Sequence, residues 1–331
     1  MYSKTIFQKF DSDLKINPEQ LIYTCGSCFA QELYERLSNN KFKLIQHPFG
    51  IVFNPLCIAR QFGHVISNYQ FQQSDLVFHN GLYHSMDHHG SFSSHDPEKM
   101  IQSINTQIES AHQSLKRISF LILTLGSAHS YQYLENQKIV ANCHKIPQTQ
   151  FSKQRAEPNE IVSALERIFN SFHLINPNLK IILSISPVRY LKDGFIENAR
   201  SKASLLLATD YLCKKFSFVQ YFPAYEIFMD DLRDYRYVKD DLVHPNKAAI
   251  DYIWSYFEQA YLSAESKKLI SELDQFNALL NHKVLNVHSS DYQSYLTRLK
   301  NELNGLEENY KHIDFSVEKE RLNQFADRVF L

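Results

Sequence analysis

The fold is decided at the stretch Tyr23-Thr24-Cys25-Gly26-Ser27-Cys28-Phe29-Ala30. The residues from Leu21 to Cys25 have the apolar character of a short buried strand, and Gln31 to Leu37 repeat apolar positions at helical spacing. Because a glycine between strand and helix permits a tight turn, Ser27 and Cys28 are predicted at a helix N-terminus. Free backbone N–H groups and the helix dipole favour a thiolate, an alkoxide or an oxyanion there. A plain turn with a serine cap and a core cysteine fits the same stretch.

Composition excludes several classes of protein. The chain of 331 residues is 44% apolar, so it can bury the core of one large domain or of one domain with an appendage. A formal net charge of -1 argues against a general binder of nucleic acids or anionic membranes. No apolar run approaches membrane-spanning length, and the first residues carry no export signature. Five cysteines, an odd number, form no disulfide framework, so a cytoplasmic location is expected.

Strands and helices alternate along most of the chain. Ile118 to Leu125 and Lys180 to Ile185 are continuous apolar runs typical of central parallel strands, and helical spacing follows Pro158 and Asn198. This alternation predicts an α/β domain with a mainly parallel sheet over residues 1–262. From Ser263 onward, charged segments with apolar spacing predict a helical C-terminal extension, residues 263–331, that packs on the main domain or forms an oligomer.

Two further loops are candidates for the site, one of them at the end of a strand, where open α/β sheets place ligands. One is Gly126-Ser127-Ala128-His129, directly after an apolar run. The other contains Asp241 and His244 before an amphipathic helix. An Asp three residues before a His can fold back and accept from the imidazole Nδ1–H, which leaves Nε2 free as a base.

A histidine-rich region surrounds Asp87-His88-His89. Metal binding is one interpretation, but the fixed helical spacing of a zinc motif is missing, so a polar loop that contacts substrate is favoured and no metal or cofactor is expected. Cys143 beside His144 is interpreted as structural, because neighbours on a strand point to opposite faces. Arg189, at a strand exit, is predicted to bind an anionic group or, preferably, to make an internal salt bridge.

The motifs together resemble bacterial members of the GSCFA family over residues 1 to about 261. The matching stretches are Gly26-Ser27-Cys28-Phe29-Ala30, His47-Pro48-Phe49-Gly50 through Asn54-Pro55, Asp87-His88-His89, Thr124-Leu125-Gly126, Val140-Ala141-Asn142-Cys143-His144-Lys145, Ser186-Pro187-Val188-Arg189, Tyr221-Phe222-Pro223-Ala224-Tyr225-Glu226 and Asp241-Leu242-Val243-His244-Pro245. The C-terminal helices lie outside this resemblance.

That family is similar in turn to the SGNH or GDSL superfamily of ester hydrolases and acyltransferases, which implies a flavodoxin-like three-layer α/β/α fold. The resemblance places the nucleophile in the turn around Gly26, an oxyanion glycine at Gly50, and the third loop at Gly126. Two departures are visible. Cys28 rather than Ser27 occupies the nucleophile position, although a shift of one residue would restore the serine.

The second departure is Ala128, which stands where the superfamily has an oxyanion asparagine. The hydrogen-bond donor of that asparagine is then either lost or supplied by Asn54, Asn142 or His129. Losing one such donor typically lowers the rate by about 10²-fold or more, so slow or altered activity is expected.

The favoured function is hydrolysis of, or transfer from, an O-acyl group, predicted to be acetyl on a small-molecule or carbohydrate-like substrate. Cys28 or Ser27 would attack the carbonyl, His244 would carry the proton and Asp241 would hold His244. The predicted oxyanion and binding residues are Gly26, the N–H groups of Cys28 and Gly50, Asn54, Gly126, His88, His89, Asn142 and Arg189.

Two other functions remain open at this point. One is a degenerate hydrolase fold kept for binding, which the Ala128 departure favours. The other is redox chemistry at Cys25-Gly26-Ser27-Cys28, a Cys-x-x-Cys at a strand-to-helix junction. Against it, Cys25 is predicted inside the strand rather than at the helix start.

Overall fold

The computed structural model describes residues 7–282 and 290–327. Residues 1–6, on which the expectation about an export signature falls, lie outside this range, as do 283–289 and 328–331. The strands are, in chain order, β1 (Leu21–Gly26), β2 (Lys43–Gln46), β3 (Leu76–His79), β4 (Leu82–Ser85), β5 (Ile118–Leu125), β6 (His129–Tyr133), β7 (Lys138–Val140), β8 (Phe151–Arg155), β9 (Lys180–Ile185) and β10 (Val219–Phe222).

The helices follow the strands in the alternation that the sequence predicts. They are α1 (Cys28–Asn39), α2 (Pro55–Ser67), α3 (Pro97–Ser114), α4 (Pro158–Ile175), α5 (Gly194–Lys215), the short α6 (Ala224–Glu226), α7 (Lys247–Tyr261), α8 (Ala264–Leu280), α9 (Ser290–Asn309) and α10 (Ser316–Asp327). None of the described helices is long and apolar enough to cross a membrane.

A parallel sheet forms the centre of the described chain. Its five strands lie in the order β2-β1-β5-β9-β10, and each neighbouring pair is parallel. This is the flavodoxin-like order, in which the chain leaves β1 in one direction for β2 and returns to β5 on the other side. The carboxyl ends of β1 and β5 therefore border the crevice where such sheets bind ligands.

Helices cover both faces of the sheet. Along β1, Ile22 and Tyr23 are fully buried on opposite faces because successive strand side chains alternate. Tyr23 belongs to the core that α2, α3, α4 and α5 close, and Ile22 belongs to the core that α1 and α7 close. The predicted three-layer α/β/α fold is confirmed.

Two small antiparallel sheets sit beside the main one. β3 pairs with β4 through Asn80 and Gly81, which have φ values of 49° and 79°, the left-handed conformations of a two-residue hairpin turn. β6 pairs with β7 and with β8. The strand β8 was not predicted, because Phe-Ser-Lys-Gln-Arg has no regular apolar alternation.

The C-terminal helices have a hydrophobic core of their own. It contains, among others, Leu269, Leu273, Phe276, Leu280, Leu296, Leu299, Leu303 and Leu306, whose spacing suggested packing surfaces. Polar contacts and the buried side chain of Ile270 join these helices to the main domain. Ile16 O accepts hydrogen bonds from Ser263 N at 3.0 Å and from Ser266 Oγ at 2.7 Å. Lys41 forms an ion pair with Glu318 at 2.8 Å.

Candidate active site

The turn after β1 requires a glycine. Gly26 has a φ of 135°, and a Cβ there would lie 2.1 Å from the carbonyl oxygen of Thr124 on β5. No other residue tolerates both the conformation and this approach. Ser27 N then donates to the same oxygen at 3.0 Å, which fixes the turn against β5.

Ser27 and Cys28, on this turn, differ in solvent exposure. Ser27 is the N-cap residue of α1, but its hydroxyl caps nothing; it is 5% exposed, and its buried Oγ has no hydrogen-bond partner in the described chain. Cys28, the first residue of the helix, is exposed. Of the two predicted nucleophiles, only Cys28 is open to a substrate.

Cys28 lies at the wall of a cleft of about 660 Å³. The cleft is bordered by Cys28, Ile51, Phe53, His89, Tyr131, Ala141, Asn142, Cys143, Lys145, Ile146, Pro147, Gln148, Phe151, Tyr190 and Lys192. Partial burial raises the pKa of the Cys28 thiol, and the charge of Glu32 raises it further. Its own backbone N–H and Lys239 act in the opposite direction. The resting thiol is therefore protonated at neutral pH and needs a base.

A base is available on the loop before α7. His244 Nδ1–H donates to Asp241 Oδ2 at 2.6 Å, while Asp241 Oδ1 accepts from the backbone N–H groups of Val243 and His244 at 2.9 Å each. These hydrogen bonds lower the pKa of Asp241 to about 2, so the carboxylate is ionised at neutral pH. The pair fixes the tautomer of His244, whose Nε2 forms no hydrogen bond within the described residues.

The His244 loop is tied to the helix that begins with Cys28. Lys239 donates its backbone N–H to His244 O at 2.7 Å and places its ammonium 3.6 Å from Glu32, one turn after Cys28 on α1. In the part of the chain that the structure describes, no hydrogen bond joins Cys28 directly to His244. Catalytic hydrogen bonds often form only once substrate is bound.

Arg189 supports the same loop. Its Nη2 donates to Leu242 O at 2.9 Å, and its guanidinium lies 5.7 Å from the ring centre of Phe195 and 6.0 Å from that of Tyr235. Leu242 has a φ of 60°, a left-handed conformation that this hydrogen bond helps to hold. Arg189 thus has the internal role that was favoured, although its partner is a backbone carbonyl rather than a carboxylate.

The backbone donors near Cys28 differ in part from those expected. Gly50, with a φ of 75°, donates its N–H to His47 O at 3.0 Å, so that N–H is already occupied. The N–H groups of Ile51, the next residue, and of Cys28 have no hydrogen-bond acceptor among the described residues. Both residues border the cleft, so these two groups are candidate oxyanion donors.

Gly126 and Asn54 hold loops next to the site, but neither residue borders the cleft. Gly126 N donates to Phe53 O at 2.8 Å, and a Cβ on this glycine would lie 2.6 Å from Phe53 Cβ. Asn54 is 4% exposed and caps α2, because its Oδ1 accepts from the backbone N–H groups of Leu56 and Cys57. Its Nδ2 donates to His129 O at 2.8 Å.

Asn142 is the best placed of the three proposed substitutes for the missing asparagine. Ala128 itself is fully buried and donates its N–H to Ser201 Oγ at 2.8 Å. His129 is also buried, with Nε2 3.8 Å from Glu197. Asn142 borders the cleft, and its Nδ2 forms no hydrogen bond within the described chain.

The two neighbouring histidines have different surroundings. His88 is fully buried, hydrogen-bonded through Nδ1 to Ser85 Oγ at 2.7 Å and stacked on Phe49 at 4.4 Å. Burial lowers its pKa well below the usual value, so it is a neutral core residue rather than a substrate contact. His89 borders the cleft, where Nδ1 accepts from Ser91 N. The described residues contain no cluster of three or more His, Cys, Asp or Glu arranged for a metal ion.

Lys202 is a residue that the sequence did not single out. It is 1% exposed, and its ammonium donates to the carbonyl oxygens of Gly126 and Ser186 at 2.7 Å each, at the ends of β5 and β9. Burial lowers its pKa to about 7. Lysines on helices are usually exposed, so spacing alone gives no indication of this role.

The Cys-x-x-Cys interpretation fits the structure less well. Cys25 is 2% exposed in the core beside Tyr23, and burial raises the pKa of its thiol well above the usual value. A redox pair needs an accessible low-pKa thiolate, and neither Cys25 nor Cys28 has a lowered pKa.

Two family models match this chain. The GSCFA family model matches residues 21–257, and the model of the GSCFA domain protein, C-terminal domain, matches residues 273–327. The first match contains the turn, the cleft loops and the Asp241–His244 loop. The second covers most of the C-terminal helices, which the motif resemblance left out.

A solved structure is similar to this chain at a low level. It is that of an acetyl xylan esterase, Est2A, from the rumen bacterium Butyrivibrio proteoclasticus, with 11% sequence identity and a TM-score of 0.33. The match covers 80% of this chain and 66% of that chain. A likeness of this size carries no conclusion about activity. Among curated proteins, none matches the chain.

Proposed function

The chain belongs to the GSCFA family, and from this premise we propose that it is an acyl-ester hydrolase or O-acyltransferase with Cys28 as its nucleophile. The observation that carries the proposal is the 2.6 Å hydrogen bond between Asp241 and His244, which leaves Nε2 free on a loop tied to the helix of Cys28. A nucleophile, a base and a group that orients the base are the parts that acyl transfer needs.

The proposed reaction has two halves. Cys28 Sγ attacks the acyl carbon while its proton passes to His244 Nε2, and the resulting oxyanion accepts hydrogen bonds from the N–H groups of Cys28 and Ile51. Collapse breaks the ester C–O bond, and the departing alkoxide takes the proton from His244. A thioester to Cys28 remains.

In the second half, water or an acceptor hydroxyl attacks the thioester. His244 takes the proton of the attacking group, and the Cys28 thiolate leaves and is protonated by His244. Throughout both halves, Asp241 keeps the imidazole in one tautomer and stabilises its cationic form. Water as acceptor gives a hydrolase, and a second alcohol gives a transferase.

The proposed substrate is an O-acetylated carbohydrate or a similar small molecule. The cleft offers aromatic rings from Phe53, Tyr131, Phe151 and Tyr190, on which the apolar faces of sugar rings can pack, and the amide of Asn142. The proposed location is the cytoplasm, where the free thiols would stay reduced.

Steady-state hydrolysis of a chromogenic acetyl ester tests the proposal. His244→Ala is expected to lower kcat/KM by about 10²–10⁴-fold, because the base is lost. Asp241→Asn should also lower it by about 10²-fold or more, because the tautomer is no longer fixed. His312→Ala, an exposed histidine of the C-terminal region, is the matched control and should leave activity unchanged. Unchanged activity in His244→Ala would refute the assignment of the base.

A further inference from the structure

The cleft beside Cys28 is positively charged. Lys145 and Lys192 stand on its border, and no Asp or Glu is among the residues that line it. Neither lysine forms an ion pair in the described part of the chain. The nearby carboxylates are already engaged, since Asp193 pairs with Lys153 and Asp87 with Arg60.

The loop that presents Lys145 has an unusual backbone. His144 and Lys145 have φ values of 47° and 60°, two consecutive left-handed residues without a glycine. A left-handed residue that is not glycine costs about 1–2 kcal/mol, and such conformations cluster at ligand sites. Exposed lysines without a partner are common, but few are held on a backbone of this kind.

Neighbouring side chains hold the loop in place. Asn142 Oδ1 accepts from His144 N at 2.9 Å, and His144 Nε2 donates to Ser85 O at 2.8 Å. The ring of His144 also stacks on His84 at 4.6 Å. These contacts belong to the fold, so the position of Lys145 is set before any ligand arrives.

Aromatic side chains and the second lysine also border the cleft. The hydroxyl groups of Tyr131 and Tyr190 are hydrogen-bonded at 2.9 Å, which joins β6 to the loop after β9. Lys192 Nζ lies 5.6 Å from the ring centre of Tyr131. A ligand in the cleft would therefore meet flat apolar rings together with two cations that have no carboxylate partner.

We infer that the cleft selects acylated carbohydrates that carry an anionic group, either a carboxylate or a phosphate, which Lys145 and Lys192 bind while the aromatic wall holds a sugar ring. Whether the acyl group is hydrolysed or transferred rests on the proposed function, but recognition of the anion does not. Lysine ammonium groups form charge-assisted hydrogen bonds with carboxylates and phosphates, and salt weakens this attraction.

Isothermal titration calorimetry tests the inference without any chemistry. The probes are a galacturonic acid tetrasaccharide, a neutral galactose tetrasaccharide, and the neutral tetrasaccharide with a terminal phosphate, none of them acylated. The wild type should bind at least one anionic probe about tenfold or more tightly than the neutral one, and added salt should reduce the difference. Which anionic probe binds tighter identifies the anion.

Three variants test whether Lys145 and Lys192 cause the preference for anionic probes. Lys145→Gln and Lys192→Gln should each remove most of the preference, whereas Lys43→Gln, an exposed lysine at the start of β2, should keep it. Equal affinity for all three probes, or a preference that both cleft variants retain, would overturn the inference. A failed esterase assay of the wild type together with selective binding of an anionic probe would reject the proposed function alone.

Discussion

Cys28 and Ser27 are adjacent residues at one turn, and their different exposure decides which of them can react with a substrate. Ser27 is the N-cap of α1 and Cys28 is its first residue, but Ser27 is buried against β5 whereas Cys28 is exposed and borders the cleft. From sequence, either residue could have been the nucleophile. The choice depends on Gly26, whose left-handed φ of 135° directs the chain past Thr124.

Substituting the two residues separately should therefore give opposite results. Cys28→Ala is expected to abolish ester hydrolysis. Ser27→Ala should keep kcat/KM within a few fold of the wild type, and it should not destabilise the protein, because it removes a buried hydroxyl without a partner. Enzyme kinetics and urea unfolding measure both effects. A loss of activity in Ser27→Ala as large as that in Cys28→Ala would contradict the assignment.

Lys202 gives a prediction in the alkaline range. Its folded pKa of about 7 lies below the ordinary lysine value of 10.5, so between these pH values the unfolded chain binds more protons than the folded one. The contribution of Lys202 to the free energy of unfolding is therefore lowest below pH 7 and rises as the pH increases towards 10.5. The free energy of unfolding of the wild type relative to Lys202→Met should rise by about 2 kcal/mol from pH 7 to pH 9. A difference that stays constant with pH, measured by urea unfolding, would contradict a neutral buried amine.

At the scale of elements, the junction of β1 and α1 depends on the absence of a side chain at Gly26. Gly26→Ala should lower the free energy of unfolding by at least about 3 kcal/mol or prevent folding, because the added Cβ meets Thr124 O and the backbone is left-handed. Gly63→Ala in α2 is the control, since nothing lies within 4 Å of the added Cβ.

The control should move in the opposite direction. Alanine in the interior of a helix is favoured over glycine by about 0.5–1 kcal/mol, so Gly63→Ala should stabilise the protein. Urea unfolding of the two variants beside the wild type provides the measurement. A Gly26→Ala protein as stable as the wild type would show that the turn has another conformation.

Elements whose causes are local were predictable from the sequence. β1, the turn and α1 follow from an apolar run, a glycine and helical spacing, and the Asp241–His244 pair follows from a separation of three residues. Features that depend on distant partners were not. The engagement of Gly50 N–H by His47 O left Ile51 as the available donor, and Lys202 reaches two strand ends from the middle of α5.

For the whole molecule, neutral buried histidines should govern stability in acid. Burial lowers the pKa of His47 and of His144 to about 4, and it lowers those of His88 and His129 as well. Between pH 6.5 and pH 4 the unfolded chain therefore binds protons that the folded chain does not, so the protein loses stability as the pH falls through this range.

His47 and His144, each with a folded pKa of about 4, should each contribute about 2 kcal/mol to the loss between pH 7 and pH 5. His47 lies within a buried chain of hydrogen bonds, accepting from Tyr23 OH at 2.9 Å and donating to Gln61 Oε1 at 3.0 Å. Urea unfolding at the two pH values gives the total. Equal stability at pH 7 and pH 5 would mean that these imidazoles can take up protons in the folded state.

The central claim is that the fold brings a thiol near the start of the chain and an Asp–His pair near residue 244 together for acyl transfer. The most direct measurement is mass spectrometry of the intact protein and its peptides after incubation with an activated acetyl ester. Wild type, Cys28→Ala, Ser27→Ala and His244→Ala should be compared. We expect one acetyl group on the peptide that contains Cys28, retained in Ser27→Ala, absent in Cys28→Ala and formed about 10²-fold more slowly in His244→Ala. A folded protein without an adduct, or an adduct whose rate does not depend on His244, would contradict the claim.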